Sequence, residues 1–258
     1  MTAAAPGFLT WLEDDAPLPP TRLALGPDSD APGLVAAGGR LDVARLEEAY
    51  RRGIFPWYGP GQPVLWWSPD PRMVLPVTEF RIAPSLRKTI RRFLRTPGSE
   101  LRFDSACRAV IEACATTPRP GQEGTWIVPT VADAYARWHE RGAVHSVETW
   151  VDGQLVGGLY FVAIGRMVFG ESMFARHADA SKIALAALVA ACRARGVAVV
   201  DCQQNTAHLA RFGAREIPRD DFERHLTRAT REALPRPWSY DSSAWATLGL
   251  ALDPDHAA

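Results

Sequence analysis

The stretch His145-Ser-Val-Glu-Thr-Trp-Val151-Asp-Gly-Gln154-Leu-Val-Gly-Gly-Leu-Tyr-Phe-Val-Ala163-Ile-Gly-Arg166-Met-Val-Phe-Gly-Glu171-Ser-Met173 decides the fold. Over 145–151, 154–163 and 166–173 the pattern drops its helical period and alternates, which predicts three strands. Asp152-Gly153 is a strong hairpin signal and Ile164-Gly165 supplies a second turn. The three strands form an antiparallel meander. Asp179-Ala-Ser-Lys-Ile183 then opens a long helix to about Ala194, with Gly196 as its stop. Val197-Ala-Val-Val-Asp201-Cys-Gln203 follows as a short apolar strand with a polar end.

Working outward, helices are expected at about Ala83–Leu94, Ser105–Thr116 and Pro129–Arg141 upstream, and at Thr206–Phe212 and Arg219–Leu234 downstream. A Gly-rich loop holding Gly124-Thr-Trp126 precedes the third of these, and a loose tail is expected after Asp253. The first 70 residues are rich in Pro and Gly, with one helical pattern from Leu41 to Arg52 that Gly53 stops. An aromatic, turn-forming segment follows: Gly53-Ile-Phe-Pro-Trp57, then Leu65-Trp66-Trp67-Ser-Pro-Asp-Pro-Arg72. The chain therefore divides into a small N-terminal domain, 1–71, and a larger unit, 72–258. The fold class is α+β, a mixed α/β fold. A meander, crossover helix and further strand is the arrangement of GNAT-like acyltransferase domains.

The chain has 258 residues, 47% hydrophobic and 22% charged, enough to bury a core without disulfides. Its 29 basic and 29 acidic residues cancel, which excludes coating nucleic acid by bulk attraction but permits a local basic patch. Cys107, Cys114, Cys192 and Cys202 have no C-x-x-C spacing, so neither zinc nor a disulfide framework is expected. They read as reduced thiols that fill the core. No signal peptide and no membrane span is read, so a cytoplasmic protein is expected. No G-x-x-x-x-G-K-[ST], strand-linked G-x-G-x-x-G, H-E-x-x-H or G-x-S-x-G occurs to anchor nucleotide, metalloenzyme or hydrolase readings.

Three features could carry chemistry. Strand alternation places Phe169, Glu171 and Met173 on one face, and a carboxylate between apolar neighbours is costly to bury without a cation. Either the strand end is exposed, or Glu171 lines a pocket and waits for a ligand's cation. Asp201 and Gln203 share a face at a carboxyl strand end, where ligands gather in such sheets, although a structural Asp would look the same. The third feature is the run from Arg81 to Arg95, with Arg81, Arg87, Lys88, Arg91, Arg92 and Arg95 and no acidic residue. Positions 87, 88, 91, 92 and 95 share one side of a helix, which is either solvated or covered by a phosphate backbone.

Ala49-Tyr50-Arg-Arg-Gly53-Ile-Phe-Pro-Trp57, Leu65-Trp66-Trp67-Ser-Pro-Asp-Pro-Arg72, Glu123-Gly-Thr-Trp126-Ile, Ala143-Val-His145-Ser-Val-Glu148, Leu155-Val-Gly-Gly158, Gly170-Glu171-Ser-Met-Phe174, Ser181-Lys182 and Asp201-Cys-Gln203 occur in uninterrupted order. Together they resemble the leucyl/phenylalanyl-tRNA–protein transferase family from about Gly33 to Pro235. The resemblance implies a small N-terminal domain joined to a GNAT-like catalytic domain. It implies transfer of Leu or Phe, and possibly Met, from tRNA to an N-terminal Arg or Lys, which marks the acceptor for N-degron degradation. It implies no cofactor, no metal and a monomer.

By the same resemblance Tyr50, Trp57, Trp126 and Tyr135 surround the donor, with the two indoles against its terminal adenosine. Leu159 and Met173 would form the apolar pocket for the transferred side chain. Glu171 would pair with the acceptor's basic side chain, and Asp201 and Gln203 would position and help deprotonate the α-amine. The basic helix matches a tRNA-backbone surface in character. An acetyl-CoA enzyme would carry a Gly-rich pyrophosphate turn where this chain has Arg176-His-Ala-Asp-Ala-Ser-Lys182. Asn205-Thr-Ala-His208-Leu-Ala-Arg211 departs from the family pattern, and the first 30 residues have no clear counterpart in it.

Overall fold

The computed structural model describes residues 9–118, 125–234 and 238–250. Glu123-Gly124, the Met1–Gly7 start and the tail after Asp253 lie outside the described residues. In chain order the elements begin with β1 (Thr10–Leu12), β2 (Leu34–Gly38), α1 (Val43–Arg51), β3 (Phe55–Pro56) and β4 (Leu65–Trp67). They continue with β5 (Arg72–Pro76), α2 (Pro84–Arg95), β6 (Ser99–Phe103), α3 (Cys107–Thr116) and α4 (Pro129–Glu140). Next come β7 (Val144–Val151), β8 (Gln154–Ile164), β9 (Met167–Ala175), α5 (Ala180–Ala194) and β10 (Val199–Gln203). The last are α6 (Ala207–Ala210), β11 (Arg215–Ile217) and α7 (Arg219–Ala229).

The aromatic, Pro-rich start is more ordered than its composition suggests. Its strands form a four-stranded sheet in the order β1-β2-β4-β3. With two to five residues each, these strands are too short to show a two-residue period. Asp42 caps α1 by accepting from the Arg45 N–H at 2.8 Å, and Gly53, at φ +75°, ends the turn after it.

The larger sheet is mixed, in the order β11-β5-β10-β9-β8-β7-β6. The meander is present: β7 pairs β8 and β8 pairs β9, both antiparallel, while β10 runs parallel to β9. Asp152 and Gly153 both take positive φ, +49° and +73°, the backbone that a tight two-residue hairpin needs. Both faces of the sheet are covered. Leu159, Phe161 and Ala163 of β8 join a core with Leu185 and Leu188 of α5. The alternate residues Tyr160, Val162 and Ile164 join a second core with α3, α4, α1 and α7 through Val110, Tyr135, Tyr50 and Phe222.

Two bulges correct the simple alternation expected at the strand ends. In β9, Gly170 faces Phe161 and Ser172 faces Tyr160, so Glu171 is the extra residue. Phe169 therefore belongs to the α1/α4 core, whereas Met173 packs against the α5 core. Phe169 and Met173 do not share a face. In β10 a second irregularity falls between Asp201 and Gln203, and Gln203 takes φ +57°. Asp201 and Gln203 are therefore joined by a local hydrogen bond rather than by regular strand alternation.

Candidate active site

Arg72 opens β5 and is almost wholly buried, as is Asp201 in the adjacent β10. Burying either charge alone is costly, and each satisfies the other. Arg72 Nε donates to Asp201 Oδ1 at 2.8 Å and Nη2 donates to Oδ2 at 2.7 Å, a planar two-point clamp. Nη1 donates to the Gly53 carbonyl at 3.0 Å. The guanidinium lies over the rings of Phe55 and Phe222, 4.9 and 4.5 Å from their centroids. Asp201 Oδ1 also accepts the Gln203 N–H at 3.0 Å.

Glu171 lies two residues past the rung that pairs Phe169 with Asp201, and Gln203 lies two residues past the same rung on β10. The two stand at the same level on neighbouring strands, past the last paired rung. Glu171 Oε1 and Gln203 Nε2 are both buried without a hydrogen-bond partner. With Glu171 ionised, its Oε1 is an acceptor and the Gln203 Nε2 a donor, so a ligand carrying both a cation and a carbonyl would satisfy the pair. Glu171 Oε2 accepts from the Tyr135 hydroxyl at 3.4 Å, and the Tyr50 and Tyr135 hydroxyls are 2.5 Å apart. With its own proton directed at Glu171, Tyr135 receives the Tyr50 proton.

Burial is the main cause that pushes the Glu171 carboxyl up to about 8. The neighbouring Asp201 charge acts in the same direction, while the Tyr50 and Tyr135 hydroxyls and Arg72 oppose it. Burial likewise raises both tyrosine hydroxyls well above their ordinary value, so they remain neutral donors. The result is a proton-bearing carboxyl at neutral pH, ready to ionise when a cation arrives.

Trp57, Tyr58, Leu65, Trp67, Thr125 and Trp126 line a cavity of about 400 Å³. Trp57 is 38% exposed although large and apolar. The Trp67 indole N–H donates to the Trp57 carbonyl at 2.6 Å, and the two rings meet edge to face. Tyr58 and Thr130 hydroxyls, 3.2 Å apart, tie this loop to α4. The rigid, partly open aromatic walls suit a flat ring.

The remaining expected residues fall into two groups. Leu159 and Met173 are direct cross-strand partners on the α5 side of the sheet, so they are not brought against Tyr50 and Tyr135. Arg87, Lys88, Arg91, Arg92 and Arg95 line one surface groove along α2, while Arg81 is exposed just before it. Arg87 also donates to the Leu248 and Gly249 carbonyls, both at 3.1 Å, so it clips the C-terminal segment in place. Sequence reading missed Arg72 as a site residue. Its signal was an Arg at the head of an otherwise apolar strand, which needs a buried carboxylate somewhere in the fold. Among the described residues no group of three or more His, Cys, Asp or Glu side chains could hold a metal ion, and no helix is long and apolar enough to cross a membrane.

Comparison with known proteins sets the chain in the aminoacyltransferase class. Residues 74–227 match the family model described as leucyl/phenylalanyl-tRNA protein transferase, and residues 39–70 match that of its N-terminal domain. A leucyl/phenylalanyl-tRNA–protein transferase of Leptothrix cholodnii is 64% identical over 94% of this chain and 96% of its own length. The protein of the same description from Methylibium petroleiphilum is 62% identical over 96% and 94%, respectively. The chain belongs to the leucyl/phenylalanyl-tRNA–protein transferase family. It is an aminoacyltransferase that uses aminoacyl-tRNA and acts on proteins.

Proposed function

We propose that the enzyme moves Leu or Phe, with Met as a third donor, from tRNA onto proteins that begin with Arg or Lys. The acceptors are thereby marked for N-degron degradation in the cytoplasm. A monomer suffices, built as a GNAT-like domain over 72–258 with a small N-terminal domain over 1–71. The observation that carries the acceptor rule is the sealed, unpartnered Oε1 of Glu171 among neutral aromatic hydroxyls. A basic N-terminal side chain would ionise and pair with it, whereas a neutral one would leave it unsatisfied.

In this reading the terminal adenosine of the donor rests between Trp57 and Trp126, and the tRNA backbone follows the α2 groove with Arg81, Arg87, Lys88, Arg91 and Arg92. Tyr50 and Tyr135 bound the reacting end, and the donor's apolar side chain reaches Leu159 and Met173 through the gap between β9 and β10. The Gln203 amide orients the attacking amine. A C–N bond forms, the ester C–O bond breaks, and the amine's proton ends on the departing ribose oxygen. Because the donor is an activated ester, most of the acceleration comes from holding amine and carbonyl in register. The test is transfer of radiolabelled Leu from Leu-tRNA to two peptides that differ only in beginning with Arg or Ala. Label on the Arg peptide alone is expected. Label on neither, with charged tRNA and folded protein, would refute the reading.

A further inference from the structure

Arg72 occupies a position that no assigned role explains. Its three bonding nitrogens reach two different parts of the fold: Nε and Nη2 hold Asp201 in the large sheet, and Nη1 holds the Gly53 carbonyl at the start of Gly53–Trp57. That segment leads within four residues to Trp57, a wall of the aromatic cavity. On the other side Asp201 holds the backbone N–H of Gln203, a residue kept in a left-handed conformation that few side chains adopt. One guanidinium, fixed between Phe55 and Phe222, is therefore bonded to both halves of the site.

We infer that Arg72 is a positioning residue that registers the donor cavity against Gln203, and that Asp201 is its anchor rather than the acceptor of the amine's proton. The inference rests on the transferase reading above. Three of the four lone-pair sites of the buried Asp201 carboxylate are already filled, two on Oδ1 by Arg72 and the Gln203 N–H and one on Oδ2 by Arg72. Taking up a proton would neutralise the carboxylate and leave the buried guanidinium without its counter-ion. A lysine cannot replace it, because an ammonium is a point charge and cannot hold two carboxylate oxygens and a carbonyl in one plane.

The decisive comparison is single-turnover transfer from Leu-tRNA to an Arg-initiated peptide by wild type and Arg72→Lys between pH 6 and 9. Binding of a nonhydrolysable adenosine carrying Leu through an amide is followed in parallel by tryptophan fluorescence. Register predicts a rate about 100-fold lower at every pH, the scale of loss for a misplacement near 1 Å. Analogue affinity should stay within about threefold of wild type, because the cavity walls themselves remain. A rate that regains the wild-type plateau at one end of the pH range, or a wild-type rate throughout, would overturn the proposal.

Amide exchange gives a reading independent of activity. Gly53–Trp57 and Asp201–Gln203 should both lose protection in Arg72→Lys while α5 keeps it, and loss in only one segment refutes the link. If the lysine variant does not fold, Arg72→Met combined with Asp201→Leu replaces the buried pair by apolar side chains, an exchange that folds tolerate. It should be as slow as the lysine variant; a wild-type rate from it overturns the proposal. A wild type that folds but transfers nothing defeats the transferase reading, while the exchange experiment still decides the role of Arg72.

Discussion

Glu171 is legible in the sequence as an awkward carboxylate, but its environment is set by a bulge that no period reveals. The extra residue in β9 turns Glu171 toward Tyr135 and seals one oxygen without a partner. Because its folded-state pKa is raised to about 8 from an ordinary value of 4.5, the folded protein holds the proton more tightly than the unfolded chain. The stabilisation this gives is complete below the unfolded value and is lost as pH rises through about 8. Glu171→Gln should therefore gain thermal stability relative to wild type on going from pH 5 to pH 9. Equal differences in Tm at the two pH values would contradict the assignment. Binding of an Arg-initiated peptide near pH 7 should release protons from wild type but not from Glu171→Gln, read by calorimetry in two buffers of different ionisation enthalpy. For the aromatic cavity, if the donor's adenosine stacks there as proposed, Trp126→Ala should weaken the adenosine analogue by about 1–3 kcal/mol, a ten- to hundredfold change. The KM for the acceptor peptide should not move.

At the scale of elements, the sequence is most readable where the local signal is strong. The turn at Asp152-Gly153, the run of small and apolar residues in α5 and the basic α2 at Pro84–Arg95 appear within a few residues of their expected bounds. The strands β1, β3, β4 and β11 have two or three residues and depend on neighbours distant in sequence, so no local pattern discloses them. Arg72 and Asp201 lie 129 positions apart, and only the antiparallel pairing of β5 with β10 makes them partners. Gly157 shows how tightly α5 sits on the meander. A Cβ there would lie 2.4 Å from the Ala180 Cβ and 3.0 Å from its carbonyl carbon, at the first turn of the helix. Gly157→Ala should push β8 from α5 and cost about 1–3 kcal/mol, visible as a lower urea midpoint with an unchanged slope.

At the scale of the whole molecule, the neutral net charge conceals two surfaces with different physics. The α2 groove gathers Arg87, Lys88, Arg91, Arg92 and Arg95, while the cavity of Trp57, Tyr58, Trp67 and Trp126 is aromatic and carries no charged side chain. Phosphate binding releases counterions and weakens as salt rises, whereas stacking of a nucleoside changes far less. Full-length Leu-tRNA should consequently bind with a steep negative slope of log affinity against log salt, while the adenosine analogue shows almost none. Reversing Lys88, Arg91 and Arg92 to Glu should flatten the tRNA slope by about one unit for each phosphate left without its cation, and analogue binding should stay unchanged. Arg87 should behave differently, since it also holds the Leu248 and Gly249 carbonyls, and Arg87→Ala should lower Tm as well as tRNA affinity. At saturating tRNA the triple variant should still reach the wild-type single-turnover rate if, as proposed, α2 supplies affinity and the residues at the ends of β9 and β10 supply the chemistry. A maximal rate that falls along with affinity would mean that the basic helix also aligns the ester, and the two surfaces would then have to be treated as one site.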